Sequence, residues 1–371
     1  MSSDHREPRS RAPLWLRVAL LVTSVLFALC ALEGAVRLRE WIKYGTVTGK
    51  SFETVLDPAT DLHILKPGQD TGRIRINGQG FRSPEIPRVK PPGTVRLAFL
   101  GGSTTFCAEV SGNEATWPAL VSRGLRERHP EVMFDYVNAG FPGYTLGSIR
   151  KTLERRVSLL RPDIIILYEA TNDLAADTRE IAARRGLFHD KAHSPLAKVS
   201  LSWYLIEQRM LRRRLERAVA SGIILTCDAD SLAHAFGKRV AEFLQAAKEV
   251  APVCAVATFS HKMRRDQPPE EALANSNWVL HFIPYQGVEG LLRLFDAYNR
   301  AIREAAHSTG SVLIDGEDSI PGDDTHFADS VHFTDEGARA MAARVIRALE
   351  EAPEFRRLVA ERAAAGGANA P

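Results

Sequence analysis

Cysteine is scarce in this 371-residue chain, which has four: Cys30, Cys107, Cys227 and Cys254. No two of them have the spacing of metal ligands, so the sequence predicts no metal site built on cysteine. We expect small buried hydrophobic side chains at these positions, with Cys30 facing lipid or another helix. A disulfide between Cys227 and Cys254 remains open at this stage.

Several common binding signatures are also missing. The formal net charge of +3 is too small to indicate nucleic-acid binding by itself, and no nucleic-acid-binding motif is present. The glycines form neither a P-loop nor the G-x-G-x-x-G pattern of dinucleotide-binding folds, and there is no internal repeat. The sequence therefore predicts no nucleic-acid partner, no cofactor and no required metal.

Long hydrophobic runs are absent except for one near the N-terminus, from Leu14 to Val36. Its uninterrupted part, Val18–Leu32, is short for a bilayer, which needs about 20 residues, but the flanking residues extend it. We expect an uncleaved transmembrane helix over 14–36. A cleaved signal peptide and a buried helix of a soluble protein are the alternatives. Basic residues flank both ends, so a cytoplasmic tail and an extracytoplasmic domain are expected only as the simpler topology.

After residue 93, apolar strand-like segments alternate with amphipathic helical segments. This alternation is typical of an α/β fold with a parallel sheet and helices on both faces. The predicted strands are Val95–Leu100, Val132–Val137, Asp163–Tyr168, Pro252–Thr258 and Ser311–Ile314, and the predicted helices are Thr116–Arg128 and residues 146–160, 230–250, 290–307 and 335–350.

The predicted organisation has five parts. The alternating residues Arg73–Ile76 and the turn signal Asn77-Gly78 predict a β-hairpin before the main domain. Residues 174–226 interrupt the strand–helix rhythm and are interpreted as an insertion, either a solvated helix pair or a lid. The predicted parts are a cytoplasmic tail (1–13), an anchor (14–36), a lead-in with the hairpin (37–93), the main domain (94–350) and a flexible tail (351–371).

Ser103 stands directly after the first predicted strand of the main domain. Gly101 and Gly102 precede it, and paired glycines allow a tight turn and close approach of the backbone. Functional side chains of parallel sheets collect at the carboxyl ends of the strands, which makes Ser103 a candidate nucleophile. An ordinary helix N-cap is the structural alternative.

A serine nucleophile needs a base, and the base needs an orienting acid. Asp329 and His332 supply both within one turn, after the last predicted strand. Asp323 and His326 have the same spacing and form a rival pair. The residues that follow His332 favour it over His326, because Thr334 is a natural N-cap for the last helix.

An acyl-transfer site also needs donors for the developing oxyanion. The candidates are the backbone N–H groups of Ser103 and Gly143 and the side chain of Asn172. Each of these loops alone is more often a simple turn, and Asn172 is also a possible helix cap.

Taken in order, these segments resemble the conserved blocks of the SGNH (GDSL-like) hydrolases. The segment 99–106 is similar to the first block, which carries the nucleophile, and 138–145 to the second, in which a glycine supplies an oxyanion N–H. Thr171-Asn172-Asp173 resembles the third block and Asp329–His332 matches the fifth, Asp-x-x-His. The resemblance spans residues 95–350 and implies a three-layer α/β/α sandwich with a central parallel sheet. It also implies Ser103, Asp329 and His332 as catalytic triad, with Ser103, Gly143 and Asn172 as oxyanion hole.

The sequence departs from that family pattern at two positions. Gly102 stands where an aspartate is common before the nucleophile, and Ala170 stands where the third block usually opens with glycine. The alanine adds a methyl group near the oxyanion. The stretch Asn77–Arg82 resembles a segment that precedes the domain in similar chains, and it has no predicted chemical role.

The sequence thus predicts a membrane-anchored ester hydrolase acting on a lipid, a small ester or an acylated glycan. Two alternatives share the same residues. One is an O-acyltransferase that transfers the acyl group to an envelope polysaccharide, and the other is a non-catalytic binding module with a relict site.

Overall fold

The computed structural model describes residues 13–44, 52–187, 194–220, 224–283 and 285–367. The chain divides into two compact units, residues 1–50 with 192–210, and residues 51–191 with 211–371. The larger unit contains the β-sheets, and the smaller unit is helical where it is described.

The main element of the larger unit is a five-stranded parallel sheet in the order β4-β3-β5-β6-β7. Every residue of β3, β5 and β6 is buried, as expected for strands covered on both faces. A separate antiparallel pair is formed by β1 and β2. The strands are β1 (Thr54–Asp57), β2 (Leu62–Leu65), β3 (Thr94–Gly101), β4 (Met133–Asn138), β5 (Ile164–Tyr168), β6 (Val253–Ala257) and β7 (Val312–Ile314).

Helices flank this sheet in two groups. The first group, α3, α11 and α12, packs against β3, β4 and β7, and the second, α4, α8 and α10, packs against β3, β6 and β7. The larger unit is therefore a three-layer α/β/α sandwich. The helices are α1 (Leu14–Tyr44), α2 (Ser103–Phe106), α3 (Trp117–Arg128), α4 (Leu146–Thr152), α5 (Thr171–Arg184), α6 (Pro195–Val199), α7 (Leu201–Ala220), α8 (Ala229–Lys248), α9 (Pro269–Phe282), α10 (Val288–Thr309), α11 (Asp335–Glu351) and α12 (Pro353–Gly367).

The strand order reverses at β3, which is the first strand of this sheet along the chain but lies between β4 and β5. Ligands of open α/β sheets bind at the carboxyl ends of the strands, next to such a reversal. The segments that follow β3, β4 and β5 hold Ser103, Gly143 and Asn172, so the fold places all three at one edge of the sheet.

The hairpin prediction is wrong in its position. Arg75 forms only an isolated bridge with Asp70, and the hairpin lies earlier, between β1 and β2. The Asn77 side chain accepts the N–H groups of Gln79 at 3.0 Å and Phe81 at 2.9 Å. This turn, closed by a side chain, takes the place of a two-residue hairpin loop.

The end of the chain also differs from the prediction. Residues 353–367, expected to be part of a flexible tail, form α12, in which Phe355, Leu358 and Val359 are buried. Their spacing places them on one helical face, which packs on the sheet side of the domain. The alanine-rich end of the sequence hid this pattern.

One further prediction is corrected, and the disulfide that the sequence left open is decided. The helix α1 does not end at Val36 but continues to Tyr44. Cys227 and Cys254 are both free, so they form no disulfide with each other.

Helix α9 was not predicted, although Pro269 followed by Glu270 and Glu271 is a typical helix start.

The smaller unit joins α1 to the start of α7. The Glu33 carboxylate accepts the N–H groups of Leu201 at 2.9 Å and Ser202 at 3.0 Å, and the hydroxyl of Ser200 at 2.9 Å. These N–H groups have no partner within their own helix, so a carboxylate there stabilises the helix start. Glu33, an acidic residue at the end of the apolar run, is therefore a capping group.

Candidate active site

Ser103 is the first residue of α2, directly beyond the carboxyl end of β3. A Cβ atom on Gly101 would overlap the Thr105 side chain and the Tyr168 carbonyl, so the sharp turn into α2 requires glycine there. The hydroxyl of Ser103 is partly exposed, whereas the residues after it in α2 are buried. The turn thus presents one side chain of a buried segment to the edge of the sheet.

Ser103, His332 and Asp329 form a continuous hydrogen-bonded chain. The His332 Nε2 lies 2.7 Å from the Ser103 hydroxyl, and His332 Nδ1 lies 2.8 Å from Asp329 Oδ2. Asp329 Oδ1 also accepts the N–H groups of Val331 at 2.9 Å and His332 at 3.0 Å, which fixes the carboxylate within its own turn. The arrangement has the geometry of a nucleophile, a base and an orienting acid.

The rival Asp-x-x-His segment lies next to this site but differs in its contacts. His326 Nδ1 lies 2.7 Å from Asp323 Oδ1, so this pair repeats the local geometry of the other. Within the described part of the chain, the histidine hydrogen-bonded to Ser103 is His332 and not His326. The Thr334 hydroxyl accepts the N–H of Gly337 at 3.2 Å, so Thr334 is the predicted N-cap of α11.

The charges around His332 favour its protonated form. Burial lowers the pKa of His332, but the carboxylates of Glu109 and Asp329 outweigh burial and raise it to about 9. Burial alone would raise the pKa of Asp329, but its hydrogen bonds from His332 hold that pKa below the usual value. The two partners shift in the directions expected of an ion pair.

The oxyanion donors predicted from the sequence line one cavity with the nucleophile. Gly143 is exposed and has a φ of +84°, a left-handed conformation that favours glycine. Asn172 lies inside the first turn of α5, and its Nδ2 donates to the Tyr144 carbonyl at 3.0 Å and to Glu169 Oε2 at 3.2 Å. The Asn172 side chain therefore does not serve as a helix cap.

The cavity has a volume of about 480 Å³ and includes aromatic side chains and one carboxylate in its wall. This volume lies within the range of ordinary small-molecule sites. Besides Ser103, Gly143, Asn172 and His332, its lining includes Phe52, Glu109, Arg179, Trp278 and Phe282.

Sequence reasoning missed four residues that shape this site. Trp278 of α9 meets the His332 ring edge-on, with ring centroids 4.6 Å apart. Arg82 is fully buried and donates to the carbonyls of Phe106 and Cys107, at the end of α2. The other two are Glu169, which directly follows β5, and Glu109, which lies three residues beyond the segment 99–106. These positions were the available signal, whereas nothing in the sequence indicates the Trp278 contact.

Glu109, Asp329 and His332 each offer an atom within 4.8 Å of the others, a spacing that a metal ion would also accept. Both ring nitrogens of His332 are already engaged, one with Asp329 and one with Ser103. An ion would have to displace one of these contacts, so the cluster fits proton transfer better than metal binding.

Residues 99–340 match the model of the GDSL-like lipase/acylhydrolase family. Among solved structures, Axe2, an acetylxylan esterase from Geobacillus stearothermophilus, is 16% identical, with a TM-score of 0.43, and the match covers 68% of this chain and 93% of that one. LAE5, an alpha/beta hydrolase from the metagenome of Lake Arreo, Spain, is 16% identical, with a TM-score of 0.42 and coverage of 68% and 94%. No curated protein matches the chain. A likeness at this level says nothing about the substrate.

Proposed function

The chain belongs to the GDSL-like lipase/acylhydrolase family, and we propose that it hydrolyses carboxylic esters through an acyl-enzyme on Ser103. The observation that carries this proposal is the continuous hydrogen-bonded chain from Ser103 through His332 to Asp329. It lies within the part of the chain that matches the family model.

In the first half of the reaction, Ser103 Oγ attacks the ester carbonyl carbon while His332 Nε2 accepts the hydroxyl proton. Asp329 accepts a hydrogen bond from the other ring nitrogen, so the imidazole keeps the orientation and tautomer that it needs to accept the serine proton. When the tetrahedral intermediate collapses, His332 gives its proton to the leaving alcohol oxygen and the acyl group remains on Ser103.

In the second half, a water molecule takes the place of the alcohol. His332 accepts one proton of the water as its oxygen attacks the acyl carbon, and then returns that proton to Ser103 Oγ. The carboxylic acid leaves and the free serine is restored. All atoms balance without a metal or an external cofactor.

The negative charge of the tetrahedral intermediate needs donors that are already in place. We assign this role to the backbone N–H groups of Ser103 and Gly143 and to Nδ2 of Asn172. Their common position in the lining of one cavity supports this assignment, and so does the exposure of Gly143.

The substrate class that the site supports is an ester whose acyl and alcohol parts together fit an aromatic-lined cavity. Lipids, small esters and acylated glycans all remain members of that class. We also propose that α1 anchors the chain in a membrane with the larger unit on the extracytoplasmic side, because by length and composition this helix is able to cross a bilayer.

The decisive experiment is turnover of a series of p-nitrophenyl esters, from acetyl to long chain, by the detergent-solubilised full chain. We expect ester cleavage without an added acceptor, and labelling by a fluorophosphonate that Ser103→Ala abolishes. Turnover that requires an added glycan acceptor would instead favour the acyltransferase, and absence of labelling would favour a binding module.

A matched pair of histidine variants tests the assignment of the base. His332→Ala should lower kcat by about 10⁴-fold or more, as loss of a triad member does in serine hydrolases. His326→Ala, which removes the same chemical group from a second turn with the same local geometry, should leave most of the activity. The reverse pattern would show that His326, and not His332, is the base.

A further inference from the structure

Gly102 lies between the turn glycine and the nucleophile, but its backbone does not demand glycine. Its φ is −89°, outside the left-handed region, so an L side chain would meet no φ strain there. The restriction is one of space, because a Cβ on Gly102 would overlap Asn172 Nδ2 and Glu169 Oε2. The place of a side chain at position 102 is therefore already occupied by the loop that follows β5.

Glu169 is the group that fills this place, and it holds Asn172 at two points. Glu169 is only 2% exposed, and its Oε1 accepts the backbone N–H of Asn172 at 2.7 Å. Its Oε2 contacts Asn172 Nδ2 at 3.2 Å, while the Tyr144 carbonyl contacts the same nitrogen at 3.0 Å. Because an amide nitrogen has two hydrogens, contacts on two sides fix the rotation of the side chain. The nitrogen has no third hydrogen, so one of these two must turn from its contact to the oxyanion when that charge forms.

We propose that Glu169 is the positioning residue of the oxyanion hole. It aims the Asn172 amide from the loop between β5 and α5. The inference rests on the proposed function, because the proposed function is what assigns Asn172 as an oxyanion donor. It also explains why glycine stands before Ser103 in this chain.

The charge of Glu169 fits this role. An ionised carboxylate beside the oxyanion would repel it and compete with it for Asn172. Burial, followed by the nearby Asp173 carboxylate, raises the pKa of Glu169 to about 8, so the neutral acid prevails below that pH. The other titratable groups that face it are Tyr168 of β5 and His332 of the loop before α11.

Removal of the Glu169 carboxyl group tests the proposal. Glu169→Ala should lower kcat by about tenfold to a hundredfold with little change in KM, since a donor displaced by about 1 Å costs that much. Gly102→Asp should also lose activity, and adding Glu169→Ala to it should bring no rescue, because a Cβ at position 102 overlaps Asn172 Nδ2 as well as Glu169 Oε2. A Glu169→Ala variant with native kcat would overturn the proposal.

Two further variants separate positioning from general packing. Glu169→Gln keeps the shape of the side chain and one acceptor oxygen but places an NH2 group against one of the two Asn172 donors, so its kcat at pH 7 should fall less than that of Glu169→Ala. Adding Glu169→Ala to Asn172→Ala should cost nothing more, because Glu169 acts through Asn172. A Gln variant as impaired as the Ala variant, or full additivity with Asn172→Ala, would contradict the assignment.

Thermal melting distinguishes a failure of this inference from a failure of the proposed function. Glu169→Ala should lower the melting temperature even in a chain that hydrolyses no ester, because Asn172 loses the acceptors of its backbone N–H and of its side-chain amide. A native chain without ester turnover would count against the proposed function alone. A melting temperature that Glu169→Ala leaves unchanged would count against the role of Glu169.

Discussion

At the scale of single residues, the distinctive feature of the site is a second carboxylate near the base. Asp329 makes the usual contact with His332 Nδ1, and the charge of Glu109 also raises the pKa of His332. One carboxylate oxygen of Glu109 is buried and has no hydrogen-bond partner among the described residues. Glu109 thus acts on His332 through its charge, and it stabilises the imidazolium that forms during acylation.

The resulting prediction concerns the pH dependence of turnover. Acylation needs neutral His332, and a pKa of about 9 means that kcat/KM should rise with pH from neutrality, until ionisation of Glu169 above about pH 8 opposes the rise. Glu109→Gln removes the charge and keeps the shape, so the rising limb should move to lower pH by about one unit or more. A pH profile of kcat/KM on one p-nitrophenyl ester measures this. Glu114→Gln, on the same segment, serves as the control, and an unmoved limb in Glu109→Gln would contradict the charge effect.

At the scale of elements, the lead-in before β3 supports the nucleophile turn. The Arg82 guanidinium donates to the carbonyls of Phe106 and Cys107 and to the Asn113 side chain at 3.0 Å. These carbonyls end α2, the helix that Ser103 begins, and Cys107 adopts a left-handed φ of 61° there. The last carbonyls of a helix have no hydrogen-bond partner within it, and a cation at the C-terminus can supply one. Arg82 therefore stabilises the C-terminal end of α2.

Replacing Arg82 by Met should therefore lower both stability and activity. The change leaves buried carbonyls without donors, which costs about 2–4 kcal/mol in the free energy of unfolding. Arg82→Lys should rescue only part of this, because a lysine cannot reproduce the forked contacts. Urea unfolding and kcat measured well below the melting temperature test both effects. Arg75→Met, at an exposed position of the same segment, should cost less than about 0.5 kcal/mol.

The elements also show which features the sequence reveals. Buried parallel strands were predicted within one or two residues, because an apolar run between turn signals has few other interpretations. The bond between Ser103 and His332 joins residues 229 apart, and only the ordered family blocks connected them in advance. The roles of Arg82 and Trp278 depend on tertiary packing, for which local periodicity carries no signal. The helix α12 was missed because alanine obscured an apolar face of three residues.

At the scale of the whole molecule, the N-terminal helix α1 is hydrogen-bonded to the start of α7, which lies far from it in sequence. A helix of 29 residues that qualifies as a span is about 44 Å long, more than the roughly 30 Å of a hydrocarbon core. Glu33 therefore has room to lie near one membrane surface, where it caps α7 within the smaller unit. Cleavage near residue 34 would remove that carboxylate and leave the start of α7 without its cap.

The last prediction follows from this contact and concerns retention of the helix. The full chain should remain in the membrane pellet after high-salt and alkaline carbonate washes, and N-terminal sequencing should find the residues before Glu33 intact. Leu26→Arg, in the middle of the apolar run, should release a fraction of the protein, because an arginine there costs about 2.5–3.5 kcal/mol of insertion free energy. Leu38→Arg, beyond Glu33 on the same helix, is the matched control and should leave the protein in the pellet. Release of the native chain by either wash would contradict the membrane anchor. A mature N-terminus near residue 34 would show that the helix is a cleaved signal and would leave the Glu33 cap without a role in the mature protein.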